Sequence, residues 1–204
     1  MLDNANARRS VARFIDPIAR FLLRLKITPD GITWFGCIAT VVISAVFLAQ
    51  GNFLVGAILY GAFSLVDLLD GTMARMLGTA GSWGAFLDST LDRISDSAVL
   101  CALIFFYVNS GTDHKQSMVG AAIVSLVMSL MTSYIRAKAE SLDAECKVGI
   151  AERAERNIIL WVSLLITGFY VDVMLYALIL LAVVTTITVF QRLLFVRNQL
   201  VLKS

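Results

Sequence analysis

Four aspartates stand in two tight pairs within an otherwise apolar part of the chain: Asp67 with Asp70, and Asp88 with Asp92. The first pair is spaced i, i+3 and the second i, i+4, so on helices each pair occupies one face. A short hairpin, 76–83, links the two segments and can bring those faces together, giving four converging carboxylates. Hard oxygen donors of this kind suit Mg²⁺ or Mn²⁺, and they outnumber what one ion needs when phosphate also coordinates. The pattern points to two ions per site and to phosphoryl chemistry. Gly71 directly follows Asp70 and Gly84 precedes Asp88 by one turn, which lets helices and a bulky phosphate approach closely. Arg75 can reach a phosphate from the helix end. The plain alternative is a packing contact with salt bridges from Arg75 and Arg93, and Arg93 is expected to pair with Asp96 or to face the interface.

What must position these residues is a membrane scaffold. Of the 204 residues, 58% are hydrophobic and 16% charged. The stretches 31–66, 116–135 and 173–191 carry no charge. Apolar runs of about 18 or more residues cross the hydrocarbon layer as helices, and these do not alternate as barrel strands would. The expected fold is an all-α integral membrane protein with six transmembrane helices, near 31–49, 53–75, 84–108, 116–138, 154–171 and 173–196. An N-terminal interfacial amphipathic helix is expected over 5–25, with Phe14, Ile15, Ile18, Phe21, Leu22 and Leu25 on its apolar face. Its Arg13, Arg20 and Arg24 meet anionic head groups. Residues 1–204 read as a single domain, and no signal peptide is expected. An acidic side chain at mid-bilayer costs roughly 2.5–3.5 kcal/mol on insertion scales, so intramembrane aspartates are functional by default.

With six spans, every Lys and Arg of the chain except Lys115 falls on one side. The positive-inside rule then places both termini and the aspartate cluster at the cytoplasmic face of the cell membrane. Cys37, Cys101 and Cys146 show no metal-ligand spacing and read as reduced structural residues.

The residues Asp67, Asp70, Gly71, Ala74 and Arg75, followed after eight positions by Gly84, Asp88 and Asp92, spell DxxDGxxAR–x8–GxxxDxxxD. This resembles the signature of the CDP-alcohol phosphotransferase family at every specified position. The resemblance implies a six-helix homodimer with Asp67, Asp70, Asp88 and Asp92 as metal ligands and Asp92 also as general base. It extends to one branch, the actinobacterial phosphatidylinositol phosphate synthases, through Thr28-Pro29-Asp30 with Thr33, through 92–96, 133–140 and 152–156, and through Gln191-Arg192-Leu193. That branch implies inositol phosphate as acceptor and CDP-diacylglycerol as donor. The chain departs from it in having Arg136 and Lys138 where Lys then Arg is common, and Gly81 where a hydroxyl residue is common.

Arg136, Arg153, Arg156 and Arg192 fall at the cytoplasmic ends of the last three spans, as a phosphorylated acceptor would require, and Lys138 joins them or snorkels to the interface. Ordinary positive-inside anchoring is the alternative. Candidate donor contacts are Asp30, Gly31, Ile32, Thr33, Gly71, Arg75 and Gly81. Asp92 is expected to accept the proton of an inositol hydroxyl that attacks the lipid-proximal phosphorus, releasing CMP. Glycerol phosphate is a rival acceptor. A cation- or proton-coupled transporter is the rival from another class, but it would place its carboxylates near the midplane with access from both faces. Membrane lipids are expected partners; nucleic acid is not.

Overall fold

The computed structural model describes residues 5–64, 66–170 and 172–203, and the side chains of these apart from 5–14, 67, 202 and 203. Every regular element among them is a helix. In chain order these are α1 (Ala5–Arg24), α2 (Pro29–Val46), a 3₁₀ turn (Leu48–Gln50), α3 (Phe53–Ser64), α4 (Asp67–Leu77), α5 (Ser82–Asn109), α6 (Lys115–Glu140), α7 (Arg153–Thr167) and α8 (Val173–Lys203). The helices gather into two compact units, one of residues 1–43 and 59–95, the other of 44–58 and 96–204.

Three helix ends of the first unit are closed by specific backbone and side-chain bonds. At the end of α1, Lys26 adopts a left-handed conformation (φ 61°). Its N–H bonds the carbonyl of Leu23 at 3.0 Å, while the N–H of Ile27 reaches back to Leu22 at 3.1 Å, which is a Schellman closure. Ala19, Ile32 and Met73 bury together, with Leu22, Leu23, Ile27, Val66 and Leu69 packed around them, and this core docks α1 on α4. Ile18, Phe21 and Leu25 stay exposed. Leu22 therefore leaves the outward face on which its spacing had put it, because α1 carries apolar residues on two sides and α4 takes one of them.

Thr28 opens α2: its Oγ1 accepts the N–H of Gly31 at 3.1 Å, and Pro29 supplies a first helical residue that lacks the N–H. Gly78 closes α4 in a left-handed conformation (φ 66°), where a Cβ would carry a backbone penalty of about 1 kcal/mol or more.

In the second unit α6 packs along α8, with Ala122, Ser125, Thr132 and Ala139 buried on α6 at three- to seven-residue spacing. Such small and hydroxyl residues let helix backbones approach where lipid offers no hydrophobic drive. Ser125 Oγ donates to the carbonyl of Leu178 at 3.3 Å, and Trp161 Nε1 of α7 donates to the carbonyl of Ala57 at 2.9 Å.

Among the described residues, four segments are long and apolar enough to cross a membrane: Pro29–Gln50, Phe53–Leu77, Lys115–Glu140 and Val173–Val201. The other two expected spans fall short for different reasons. The first half of α5 carries Asp88, Asp92, Arg93 and Asp96. α7 has 15 residues where 154–171 was expected, and at 1.5 Å per residue it is only about 22 Å long. Gly168 caps α7 with its backbone still right-handed (φ −58°, ψ −18°), and its Cβ position would meet Leu54 Cβ at 2.7 Å.

Candidate active site

Within the first unit, the opening turn of α2 grips both arms of the signature hairpin. Thr33 Oγ1 lies 2.7 Å from Asp70 Oδ2 on α4, and 3.1 Å from the carbonyl of Pro29. The other Asp70 oxygen accepts the N–H of Gly71 at 2.5 Å. Asp70 is thus a carboxylate only 7% exposed whose two oxygens are both fixed in direction. Asp30 accepts the indole N–H of Trp83, in the first turn of α5, at 2.9 Å. Arg75 lies back over Gly71, its Nη1 3.5 Å from where a Cβ would stand, and its Nη2 bonds Thr72 Oγ1 at 3.0 Å. A Cβ at position 71 would stand in ordinary van der Waals contact with that guanidinium.

On α5, Asp92 is 9% exposed and Asp88 is half-buried. Arg93 Nη1 stands 3.7 Å from Asp92 Oδ2 and donates to the carbonyl of Ser89. Arg93 therefore leans back along its own helix, and Asp96 is engaged by other residues. Gly81 has open space around it except for the carbonyl of Thr79 at 3.8 Å. Ile32 spends its side chain in the α1–α4 core, which leaves only its backbone for a ligand.

The donor chemistry here fits a divalent cation: hard carboxylate oxygens, two of them on buried residues, with Asp70 oriented in advance by a hydroxyl and an amide. The Asp67 side chain lies outside the described residues. Among the described residues no three carboxylate, imidazole or thiol groups come close enough to hold a metal.

The basic residues expected to meet an acceptor's phosphate, all in the second unit, divide into three kinds. Arg192 is 4% exposed and Arg156 6%. Arg192 donates through Nε to the carbonyl of Val148 at 2.9 Å and through Nη1 to that of Thr132 at 2.6 Å. Arg156 Nη1 bonds Thr132 Oγ1 at 3.2 Å and the carbonyl of Ala151 at 3.1 Å. Both lace the 141–152 connection to the helices, and α8 adds Thr188 to the N–H of Ala151 (3.1 Å), Gln191 to that of Ile150 (3.2 Å) and Gln199 to that of Glu145 (3.0 Å). Gly149 permits this close seating: its φ is 134° and a Cβ would stand 2.5 Å from Thr188 Cγ2. Arg153 is half-buried and contacts Asp96, Nε to Oδ2 at 3.4 Å. Arg136 and Lys138 are exposed, Arg136 pairing with Glu140 at 3.0 Å one turn on.

Cys146 is buried in the same connection with Ile135, Ala139, Ala144 and Val189. Burial pushes its thiol pKa up, while Arg192 and Arg136 pull against that shift. Sequence reasoning missed Trp83 and Asn157. The signals available were an aromatic between Gly81 and Gly84 at a helix start, and an amide four residues after Arg153.

A model of the CDP-alcohol phosphatidyltransferase family matches residues 26–195. The phosphatidylinositol phosphate synthase of Cutibacterium acnes is 40% identical over 200 residues, covering 94% of this chain and 96% of its own. A crystal structure of Mycobacterium tuberculosis phosphatidylinositol phosphate synthase with CDP-DAG bound superposes with a TM-score of 0.87 at 39% identity, covering 91% of this chain and 94% of that one. The same enzyme in complex with manganese and citrate superposes at 0.85 and 38%, covering 88% and 87%. The chain belongs to the CDP-alcohol phosphatidyltransferase family.

Proposed function

We propose that this protein transfers the phosphatidyl group of CDP-diacylglycerol to inositol phosphate, giving phosphatidylinositol phosphate and CMP. The observation that carries the reading is the intact signature on α4 and α5, with the acidic side chains of Asp70 and Asp92 buried within one unit. The donor and acceptor are supported by the phosphatidylinositol phosphate synthases to which the chain is similar along most of its length.

Asp67, Asp70, Asp88 and Asp92 would hold two divalent ions, Mg²⁺ or Mn²⁺; manganese is bound in one of the similar structures. When bound, such ions supply positive charge opposite the diphosphate and the departing CMP. Asp30, Gly31, Ile32, Thr33, Gly71, Arg75 and Gly81 line the donor's path, Ile32 through its backbone and Thr33 by keeping Asp70 aimed. Asp92 takes the proton from an inositol hydroxyl as that oxygen attacks the lipid-proximal phosphorus. A phosphorus–oxygen bond to inositol forms, the one to CMP breaks, and the proton remains on Asp92 until solvent removes it. Arg136, Lys138, Arg153, Arg156 and Arg192 supply the charge for the acceptor's phosphate, with Arg156 and Arg192 also shaping the 141–152 connection.

The chain works as one domain over residues 1–204 with six membrane crossings, α5 and α7 completing the four apolar spans. α1 lies at the interface with Ile18, Phe21 and Leu25 turned to lipid. Both termini and the site face the cytoplasm of the cell membrane, and the working form is a homodimer. The test is CMP release by purified protein with CDP-diacylglycerol and Mg²⁺, offered inositol phosphate, glycerol phosphate or free inositol. Release with inositol phosphate alone, abolished by EDTA, is expected; release only with glycerol phosphate would overturn the acceptor.

A further inference from the structure

Of Arg136, Lys138, Arg153, Arg156 and Arg192, Arg153 meets a partly buried carboxylate on another helix. Arg156 and Arg192 bond backbone carbonyls and a hydroxyl, and Arg136 pairs with an exposed glutamate of its own helix. Arg153, in the first turn of α7, meets a carboxylate on α5: Asp96 Oδ2 at 3.4 Å from Nε. The second oxygen, Asp96 Oδ1, accepts from Asn157 Nδ2 at 3.3 Å. Arg153 and Asn157 are i and i+4, so Asp96 is gripped by one face of α7. The contact is largely screened from water, with side-chain exposures of 32% for Arg153 and 18% for Asp96.

Engaging a guanidinium through Nε sets the plane in which its terminal N–H groups meet a phosphate, and a partly buried carboxylate does this more firmly than an exposed one. We infer that Asp96 is a positioning residue for the acceptor: it fixes Arg153, with Asn157 fixing Asp96 in turn, so that the acceptor's phosphate meets a preset guanidinium. This rests on the proposed transfer to a phosphorylated alcohol. It differs from a purely structural salt bridge in what it predicts for the two substrates. A structural tie between α5 and α7 would affect donor and acceptor alike, whereas a positioning tie acts on the acceptor.

The experiment uses the full chain in lipid nanodiscs, comparing wild type with Asp96→Ala, Asp96→Asn and Asn157→Ala. CMP release is followed with each substrate varied in turn, alongside the thermal midpoint. The KM for inositol phosphate should rise about 10-fold in Asp96→Ala, less in Asp96→Asn, which retains an oxygen for Nε, and a few-fold in Asn157→Ala. The KM for CDP-diacylglycerol and the thermal midpoint should hardly move. An unchanged acceptor KM overturns the proposal, as do equal changes in both KM values accompanied by a lower midpoint. Should Asp96→Ala not fold, the same split in the other two variants decides. A wild type that turns over glycerol phosphate instead of inositol phosphate defeats the functional reading, and the split measured with glycerol phosphate still decides the role of Asp96.

Discussion

The two units solve the problem of buried charge in opposite ways. In the first, Asp70 has little exposure and accepts from one hydroxyl and one amide, Thr33 Oγ1 and the Gly71 N–H. In the second, Arg156 and Arg192 are as deeply buried but bond backbone carbonyls, which any connecting segment provides. A carboxylate can only accept, and in an apolar surrounding donors are few, so several acids together mean that something else supplies positive charge. An arginine brings five donors to a structure full of carbonyls and can be satisfied by the fold alone. Buried aspartates are therefore the sharper functional marker, and buried arginines serve binding and architecture together.

The largest effect that could break this contrast lies with the aspartates. Asp92→Asn, which keeps size and loses basicity, should lower turnover on the order of 10³-fold while the protein remains folded. Near-normal turnover would remove Asp92 as the base. Asp70→Asn should in addition weaken Mn²⁺ binding read by electron paramagnetic resonance, with no substrate present.

A middle-sized effect sharpens the arginine half. Arg192→Ala should cost roughly 3 kcal/mol of stability in a detergent unfolding assay, since it opens a buried gap and strips the carbonyl of Val148 of its donor. Arg136→Ala, removing an exposed i, i+4 pair, should cost about 0.5 kcal/mol or less. Equal losses would mean that Arg192 does not brace the 141–152 connection.

Much of this was open to reading in the sequence. The signature 67–92 announced the helices that carry it and the family chemistry, because its residue types and spacing are specific. The uncharged runs announced the apolar spans. What could not be read depended on where distant segments land. Nothing in the neighbourhood of Arg192 says that Val148 will offer a carbonyl, and Asp96 has Arg93 as its obvious neighbour although α7 brings Arg153 and Asn157 instead. Nor does the sequence around Gly168 say that Leu54, more than a hundred positions away, packs where its Cβ would stand. Leu22 changed sides because α1 has an apolar residue on almost every turn, and periodicity alone does not say which side a neighbour will cover.

The smallest effect concerns Cys146, which shares its environment with the bracing arginines. Its pKa is pushed up by burial, so the folded protein keeps the thiol protonated where the unfolded chain, with a pKa near about 8.5, would ionise it. The folded form then holds the extra proton, and stability should be intact below about pH 8.5 and decline modestly above it. Alkylation by iodoacetamide at pH 8 should be slow in the folded protein and fast after denaturation. Rapid labelling without unfolding would show that the 141–152 connection is not seated as described.

The most direct measurement of the central claim is a single competition reaction. Purified protein in nanodiscs receives CDP-diacylglycerol, Mg²⁺ and equal amounts of inositol phosphate and glycerol phosphate, and the lipid products are weighed by mass spectrometry. Phosphatidylinositol phosphate as the dominant new lipid, formed one for one with CMP and absent in Asp92→Asn, is the predicted result. Phosphatidylglycerol phosphate in its place, or a product that forms equally well in Asp92→Asn, would contradict it.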